Sequence, residues 1–230
     1  GASESVLDEI SERALEVALS YADSAGDAEV VVLSMAPESA AATIRKGLAM
    51  GAASAVHVSD PGIAGADLGL TARVLAAAIR RTGFDLVISG NLSTDGSGGV
   101  LPAMLAELLE VPHATALSSV EIAADSVSGM RSTDDGNMRV RASLPAVISI
   151  TEALPDARFP NFKGIMAAKK KPFETLSAAN LEIDPGDVSV AASIMTGIAE
   201  KPPRSAGVKI TDEGDGGTKI AEYLIANRLV

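Results

Sequence analysis

No cysteine and no tryptophan occur in the chain, and only 3% of its residues are aromatic. Without cysteine there is no thiolate nucleophile, iron–sulfur cluster or cysteine zinc site to consider. A chain free of thiols suits a reducing cytoplasm, the compartment expected for it. So few aromatics leave no surface for stacking nucleobases in series. The core must therefore be built from Ala, Val, Ile and Leu. Positive charge is also short, with 19 Lys and Arg against 30 Asp and Glu and a net charge of -11. A surface of that sign repels phosphate backbones, which argues against nucleic acid as a partner. No apolar run approaches the roughly 20 residues that span a bilayer. No secretory leader is recognisable either, so no direct membrane insertion is expected.

Histidine is scarce too. His57 and His113 are the only two, and they fall in different segments with no matching serine or cysteine nucleophile. They read as a strand-end and a loop histidine rather than as a catalytic pair. The acidic pairs Asp134-Asp135 and Asp212-Glu213 sit beside glycines. Turn and cap roles explain them better than metal binding. Lys169-Lys170-Lys171 is too short a run for a nucleic-acid patch and reads as a solvated or subunit-facing ridge. No catalytic residue and no metal site is expected, so the chain is not predicted to be an enzyme by itself.

What the chain does have is alternation. At 230 residues it can form one large α/β domain that buries roughly 70% of its unfolded surface. Val6, Ile10, Ala14, Val17 and Ala18 recur at helical spacing. A near-continuous apolar run over 30–35 then reads as a strand covered on both faces. Helices are predicted over about 37–50, 68–81 and 98–109, and strands over 55–58 and 85–89. Such alternation implies a parallel sheet with right-handed crossovers. Ligands on these sheets bind beyond the carboxyl ends of the strands. Short strands follow over 118–122, 127–131, 138–142 and 146–151, with Asp135-Gly136 as a hairpin signal. They are predicted to extend the sheet in antiparallel fashion. Periodicity is then lost from about 173 to 213, which suggests an arm lying on another subunit. Ile220, Tyr223 and Leu224 suggest a short terminal helix.

Two segments could carry function. Gly90-Asn91-Leu92-Ser93-Thr94-Asp95-Gly96-Ser97-Gly98-Gly99 follows a predicted buried strand and opens a predicted helix. Glycines there let backbone N–H groups approach a phosphate, and the helix N-terminus favours an anion. Asp95 is better placed to order the loop or to bond a sugar or base. The segment is neither a P-loop nor G-x-G-x-x-G, so a plain strand–helix connection is the competing reading. The other segment is Arg158-Phe159-Pro160-Asn161-Phe162-Lys163-Gly164, which holds two of the four phenylalanines. They either pin the loop to its own domain or form an exposed anchor for a partner.

Six motifs then occur in a telling order: Ala49-Met50-Gly51-Ala52; Asp85-Leu86-Val87-Ile88 with its glycine loop; Leu144-Pro145-Ala146-Val147; Ile165-Met166-Ala167-Ala168; Lys169-Lys170-Lys171; and Arg204-Ser205-Ala206-Gly207-Val208-Lys209. Over essentially its whole length the chain resembles the β subunits of electron transfer flavoproteins, the actinobacterial type above all. The resemblance implies a Rossmann-like, mostly parallel sheet with helices on both faces, a small antiparallel extension and a C-terminal arm. It implies a nucleotide-binding domain over 1–172 and an arm over 173–230 that packs on an α subunit. It further implies a heterodimer whose FAD, held mainly by the α subunit, takes electrons from acyl-CoA or other dehydrogenases and passes them to a quinone oxidoreductase. A structural AMP would be held by Asp8, Glu9, Ile10 and Ser11, by Met35, and by Gly90, Asn91, Ser93, Thr94, Asp95, Gly96, Ser97, Gly98, Gly99, Val100 and Leu101. Dehydrogenases would dock on the loop over 154–165, through Arg158, Phe159, Phe162, Ile165 and Met166. The family's anchoring leucine aligns with Phe162, a departure that keeps the anchor apolar.

Two further departures matter. Family members begin with a β-strand of the V-x-V-K-x-V-P-D type and a hairpin, whereas this chain begins at the first helix. Loss of a central parallel strand exceeds the marginal stability of a domain, so that strand is expected to belong to residues outside this sequence. The AMP loop also has Gly96, Gly99, Val100 and Leu101 where the family is more polar, so backbone N–H groups would have to hold the phosphate. Two other readings stand beside this one. In bifurcating relatives a second FAD occupies the AMP site, but the chain lacks their Thr-Ala-Gln stretch. A free-standing adenine-nucleotide module of the universal-stress type would have no use for the arm.

Overall fold

The computed structural model describes residues 6–94, 96–187, 193, 196, 197, 199–203, 207, 209 and 211–230. In chain order the elements are α1 (Glu9–Ala25), β1 (Val31–Met35), α2 (Ala41–Met50), β2 (Ser54–Val58), α3 (Leu68–Thr82), β3 (Leu86–Gly90), α4 (Leu101–Leu109), β4 (His113–Ile122), β5 (Ser126–Thr133), β6 (Gly136–Ser143), β7 (Ala146–Ile150), α5 (Phe162–Ala168), β8 (Phe173–Leu176) and α6 (Gly216–Ala226), with short 3₁₀ turns between. The predicted alternation of helices and strands is present, and the fold is α/β and Rossmann-like. Helix ends follow local chemistry. The Asp67 carboxylate accepts the Leu70 N–H at 2.9 Å to start α3, with Arg80 and Arg81 in its last turn. Gly26, at φ 81°, ends α1.

The strands form two sheets rather than the single sheet expected. β1, β2 and β8 are parallel, in the order β1-β2-β8. The other sheet runs β3-β7-β4-β5-β6, parallel across β3, β7 and β4 and antiparallel beyond. β7 lies between β3 and β4, with all five of its residues buried. Apolar side chains of β4, β5 and β7 (Leu117, Val127, Ile148 and Ile150) pack with Ile10 and Ala14 of α1. On the other sheet, Val56 and Val58 pack with Leu70 and Val74 of α3. Each such fully buried side chain contributes roughly 1.5–3 kcal/mol. β1 and β3 are each paired on one side only, and residues of both line one cavity of about 1780 Å³.

Three expectations need correction. The hairpin turn lies one residue earlier than predicted, at Asp134 and Asp135, because Gly136 already pairs with Thr133. Residues 162–168 form a helix, where only an irregular loop was predicted as far as 164. The stretch from 173 is not wholly an arm. Phe173–Leu176 adds a strand beside β2, and Ala178 and Leu181 are buried with Val58 and Leu70. Four residues are too few for periodicity to reveal a strand. The first compact unit extends to Met195, and Thr196–Val230 forms a second. Within that second unit α6 buries none of its residues, and Ile220, Tyr223 and Ile225 are exposed.

Candidate functional site

The glycine loop leaves the carboxyl end of β3, where the topology of a parallel sheet puts a ligand. Asn91 still continues the sheet, its N–H donating to Ile150 O at 2.9 Å. The chain then turns on Ser93, whose carbonyl accepts the Ser97 N–H at 3.0 Å and whose Oγ accepts the Gly96 N–H at 3.2 Å. Ser97 and Gly99 take left-handed backbone, φ 49° and 66°. This re-aims successive N–H groups before α4 begins. No side chain caps the first turn of α4, and Pro102 occupies it. The segment holds no lysine or arginine, so an anion bound here would have to meet backbone N–H groups. Asp8 supports it from α1: its carboxylate accepts the Thr94 N–H at 2.7 Å instead of capping its own helix.

Of the residues expected here, Asp8, Ile10, Ser11, Gly90, Asn91, Ser93, Gly96, Gly98, Gly99 and Leu101 line the cavity between β1 and β3. Others point elsewhere. Glu9 pairs with Arg13 at 2.8 Å, and Met35 packs against the core around Val58. Thr94 meets Asp8, Ser97 Oγ turns back to Ser93 O, and Val100 is exposed. Asp95 lies outside the described residues. Gly90 also has a packing task. A Cβ there would sit 2.6 Å from Ile10 Cγ2, so its bare Cα is what lets α1 lie against β3.

The second candidate is apolar and outward. Phe159 is 93% exposed and Phe162 79%. Neither pins the loop to its own domain. Ile165 and Met166, on the first turns of α5, are half-exposed beside them. Asn161 starts this helix by accepting the Gly164 N–H at 2.8 Å. Gly164 in turn allows close packing on α2, since a Cβ there would meet Ala49 O at 2.3 Å. Arg158 does not join the outward patch. Its Nε and Nη2 donate to Glu16 at 2.8 and 2.9 Å, its N–H donates to the same carboxylate at 3.0 Å, and its Nη1 lies 2.9 Å from Asp23. These bonds hold the Glu16 carboxyl well below its usual range, at about 2, chiefly through the Arg158 guanidinium.

A family model described as electron transfer flavoprotein domain matches residues 2–181. Electron transfer flavoprotein subunit beta of Mycobacterium tuberculosis is 44% identical over 236 residues, covering all of this chain and 89% of that one. The Mycobacterium leprae protein of the same name matches equally. That of Mus musculus is 35% identical over 196 residues, covering 84% of this chain and 75% of its own. The chain belongs to the electron transfer flavoprotein β-subunit family. Its fold is therefore one on which family members work in electron transfer, and the resemblance read from six short motifs holds along the whole chain.

Other polar residues of this β-subunit family member are structural. His57 is buried, its Nε2–H donating to Ala36 O at 2.9 Å with its ring edge-on to Phe173 at 5.9 Å. His113 is exposed at the start of β4. Among the described residues no group of acidic or histidine side chains could hold a metal. Asp212 accepts the N–H groups of Gly214 and Gly216 at 2.9 Å, and the Gly214 bond chiefly lowers its pKa. The lysine run is not a uniform ridge. Lys171 turns inward and donates to Leu48 O at 3.0 Å and Ala52 O at 2.6 Å, closing the C-terminus of α2, and burial pushes its pKa down. Sequence missed Lys171, Glu16 and Arg13 because each acts on a residue far along the chain. Among the described residues no helix is long and apolar enough to cross a membrane.

Proposed function

We propose that this chain is the β half of a heterodimeric electron carrier. The observation that carries this reading is 44% identity over the full chain to β subunits of electron transfer flavoproteins. In this reading an α subunit pairs with it and holds most of the FAD, which when bound carries the electrons between a donor dehydrogenase and a quinone oxidoreductase. Residues of this chain bind and orient rather than react. The loop over 91–101 would hold the phosphate of an AMP through backbone N–H groups. Its left-handed turns at Ser97 and Gly99 and the uncapped start of α4 support that role. The purely backbone donor set suits a tightly held structural nucleotide with no reacting group. The arm beyond the first compact unit is assigned to the α subunit, where the exposed apolar face of α6 would be covered. The cytoplasm is the compartment this role fits.

Dehydrogenase docking is assigned to Phe159, just ahead of α5, and to Phe162, Ile165 and Met166 on α5, four exposed or half-exposed apolar side chains. Burying one phenylalanine is worth roughly 1.5–3 kcal/mol, enough for a hot spot.

Purification of the chain with its partner, followed by nucleotide extraction, tests the reading. One FAD and one AMP per heterodimer is the expected result. Two FAD per heterodimer would move the assignment to the bifurcating type. A stable monomer holding adenine nucleotide, indifferent to any partner, would overturn the carrier reading altogether.

A further inference from the structure

The segment over 152–161 has no helix or strand to define its path, yet it delivers Phe159 and leads into Phe162. Its course is set by side-chain ties to one face of α1. Arg13 donates to Leu154 O and pairs with Asp156. Glu16 takes three hydrogen bonds from Arg158, and Asp23 takes the guanidinium's remaining side. Positions 13, 16 and 23 repeat at helical spacing, so the three anchors form one stripe. The pair is more than a loose surface contact. The Glu16 and Arg158 side chains are 15% and 33% exposed, and the guanidinium and the backbone N–H meet the same carboxylate. A fork geometry of this kind fixes orientation as well as distance.

We propose that Arg158 and Glu16 are positioning residues, a clamp that pre-arranges the apolar docking patch without touching the partner. This rests on the docking role assigned above. A loop held in its binding arrangement loses less conformational freedom when a partner arrives. With the clamp removed, the phenylalanines remain exposed but must be ordered at each encounter. The cost then falls on partner affinity and leaves flavin chemistry alone. Arg158 itself is withdrawn from partner contact, contrary to the role the sequence suggested.

The test uses the purified heterodimer, an acyl-CoA dehydrogenase reduced by its substrate, and the variants Arg158→Gln, Glu16→Ala, their combination, and Phe162→Ala. Hydrogen exchange of the amides over 156–162 reports the clamp directly. Faster exchange, by about tenfold or more, is expected in each clamp variant. The half-saturating carrier concentration should rise about tenfold with kcat and FAD content unchanged, roughly the cost of reordering a few side chains. The combined variant should be no worse than either alone, because the two residues act as a unit. Unchanged exchange in the clamp variants overturns the clamp. Faster exchange with unchanged half-saturation, while Phe162→Ala raises it, overturns the positioning role and leaves the docking patch standing. If Phe162→Ala also has no effect, the docking assignment itself fails.

Discussion

The Asp8 carboxylate accepts a hydrogen bond from the Thr94 N–H at 2.7 Å across 86 residues of sequence. It joins the N-terminus of α1 to the middle of the glycine loop. α1 thus touches both candidate sites: the loop at its start through Asp8, and the proposed docking segment farther along through Arg13, Glu16 and Asp23. Asp8→Ala should loosen the loop while leaving the fold intact. A charge-assisted bond that is partly open to water is worth about 1 kcal/mol. If the loop holds AMP as proposed, AMP affinity of the purified heterodimer should fall about fivefold, measured by extraction and quantification after exhaustive dialysis.

Gly90→Ala should be costly for a different reason. The new methyl would lie 2.6 Å from Ile10 Cγ2 and 2.9 Å from Ile10 Cγ1. Both atoms are close to the branch point of a stiff side chain, so α1 must shift. Overpacking of this kind destabilises by about 1–3 kcal/mol. Denaturant unfolding should show the loss, and Ile10→Ala combined with Gly90→Ala should recover part of it. Equal stability of Gly90→Ala and wild type would mean that Ile10 does not lie on β3 as described.

Lysines 169–171 should separate sharply under alanine substitution. Lys171→Ala removes two donors from carbonyls at the end of α2 and should cost about 1–2 kcal/mol. Lys169→Ala and Lys170→Ala, at exposed positions, should stay within about 0.5 kcal/mol. Chemical unfolding of the three variants side by side gives the comparison.

The Arg158–Glu16 clamp should persist through the whole physiological range of pH. The Glu16 carboxyl is lowered from 4.5 to about 2 by its hydrogen bonds from Arg158. A lowered carboxyl contributes stability that is complete above its unfolded pKa and is lost as pH falls toward its folded one. The stability difference between wild type and Glu16→Gln should therefore be constant above about pH 5 and shrink between about 4.5 and 2. Carbon-detected NMR titration of Glu16 should give a midpoint near 2. A midpoint near the ordinary value would show that the clamp is open in solution.

The sequence alone determined the α/β class, the order of the first helices and strands, the antiparallel extension and the position of the glycine loop. All of these rest on local signals: continuous apolar runs such as 30–35, helical spacing from Ile10 to Ala18, and the Asp135-Gly136 turn signal between short strands. Motif order along the chain also carried the family. Tertiary structure alone decided what depends on distant partners. β8 exists because four residues after a turn find the open edge of β2. Lys171 leaves its neighbours because the carbonyls of Leu48 and Ala52 end α2 beside it. Gly90 proved to be a packing site because Ile10 comes down on it from α1. Arg158 is drawn onto α1 because Glu16 and Asp23, 142 and 135 residues earlier, stand on the same helix face. A side chain's local pattern states whether it belongs in apolar or polar surroundings. Which carboxylate or carbonyl it meets is set only when elements far apart in sequence pack together.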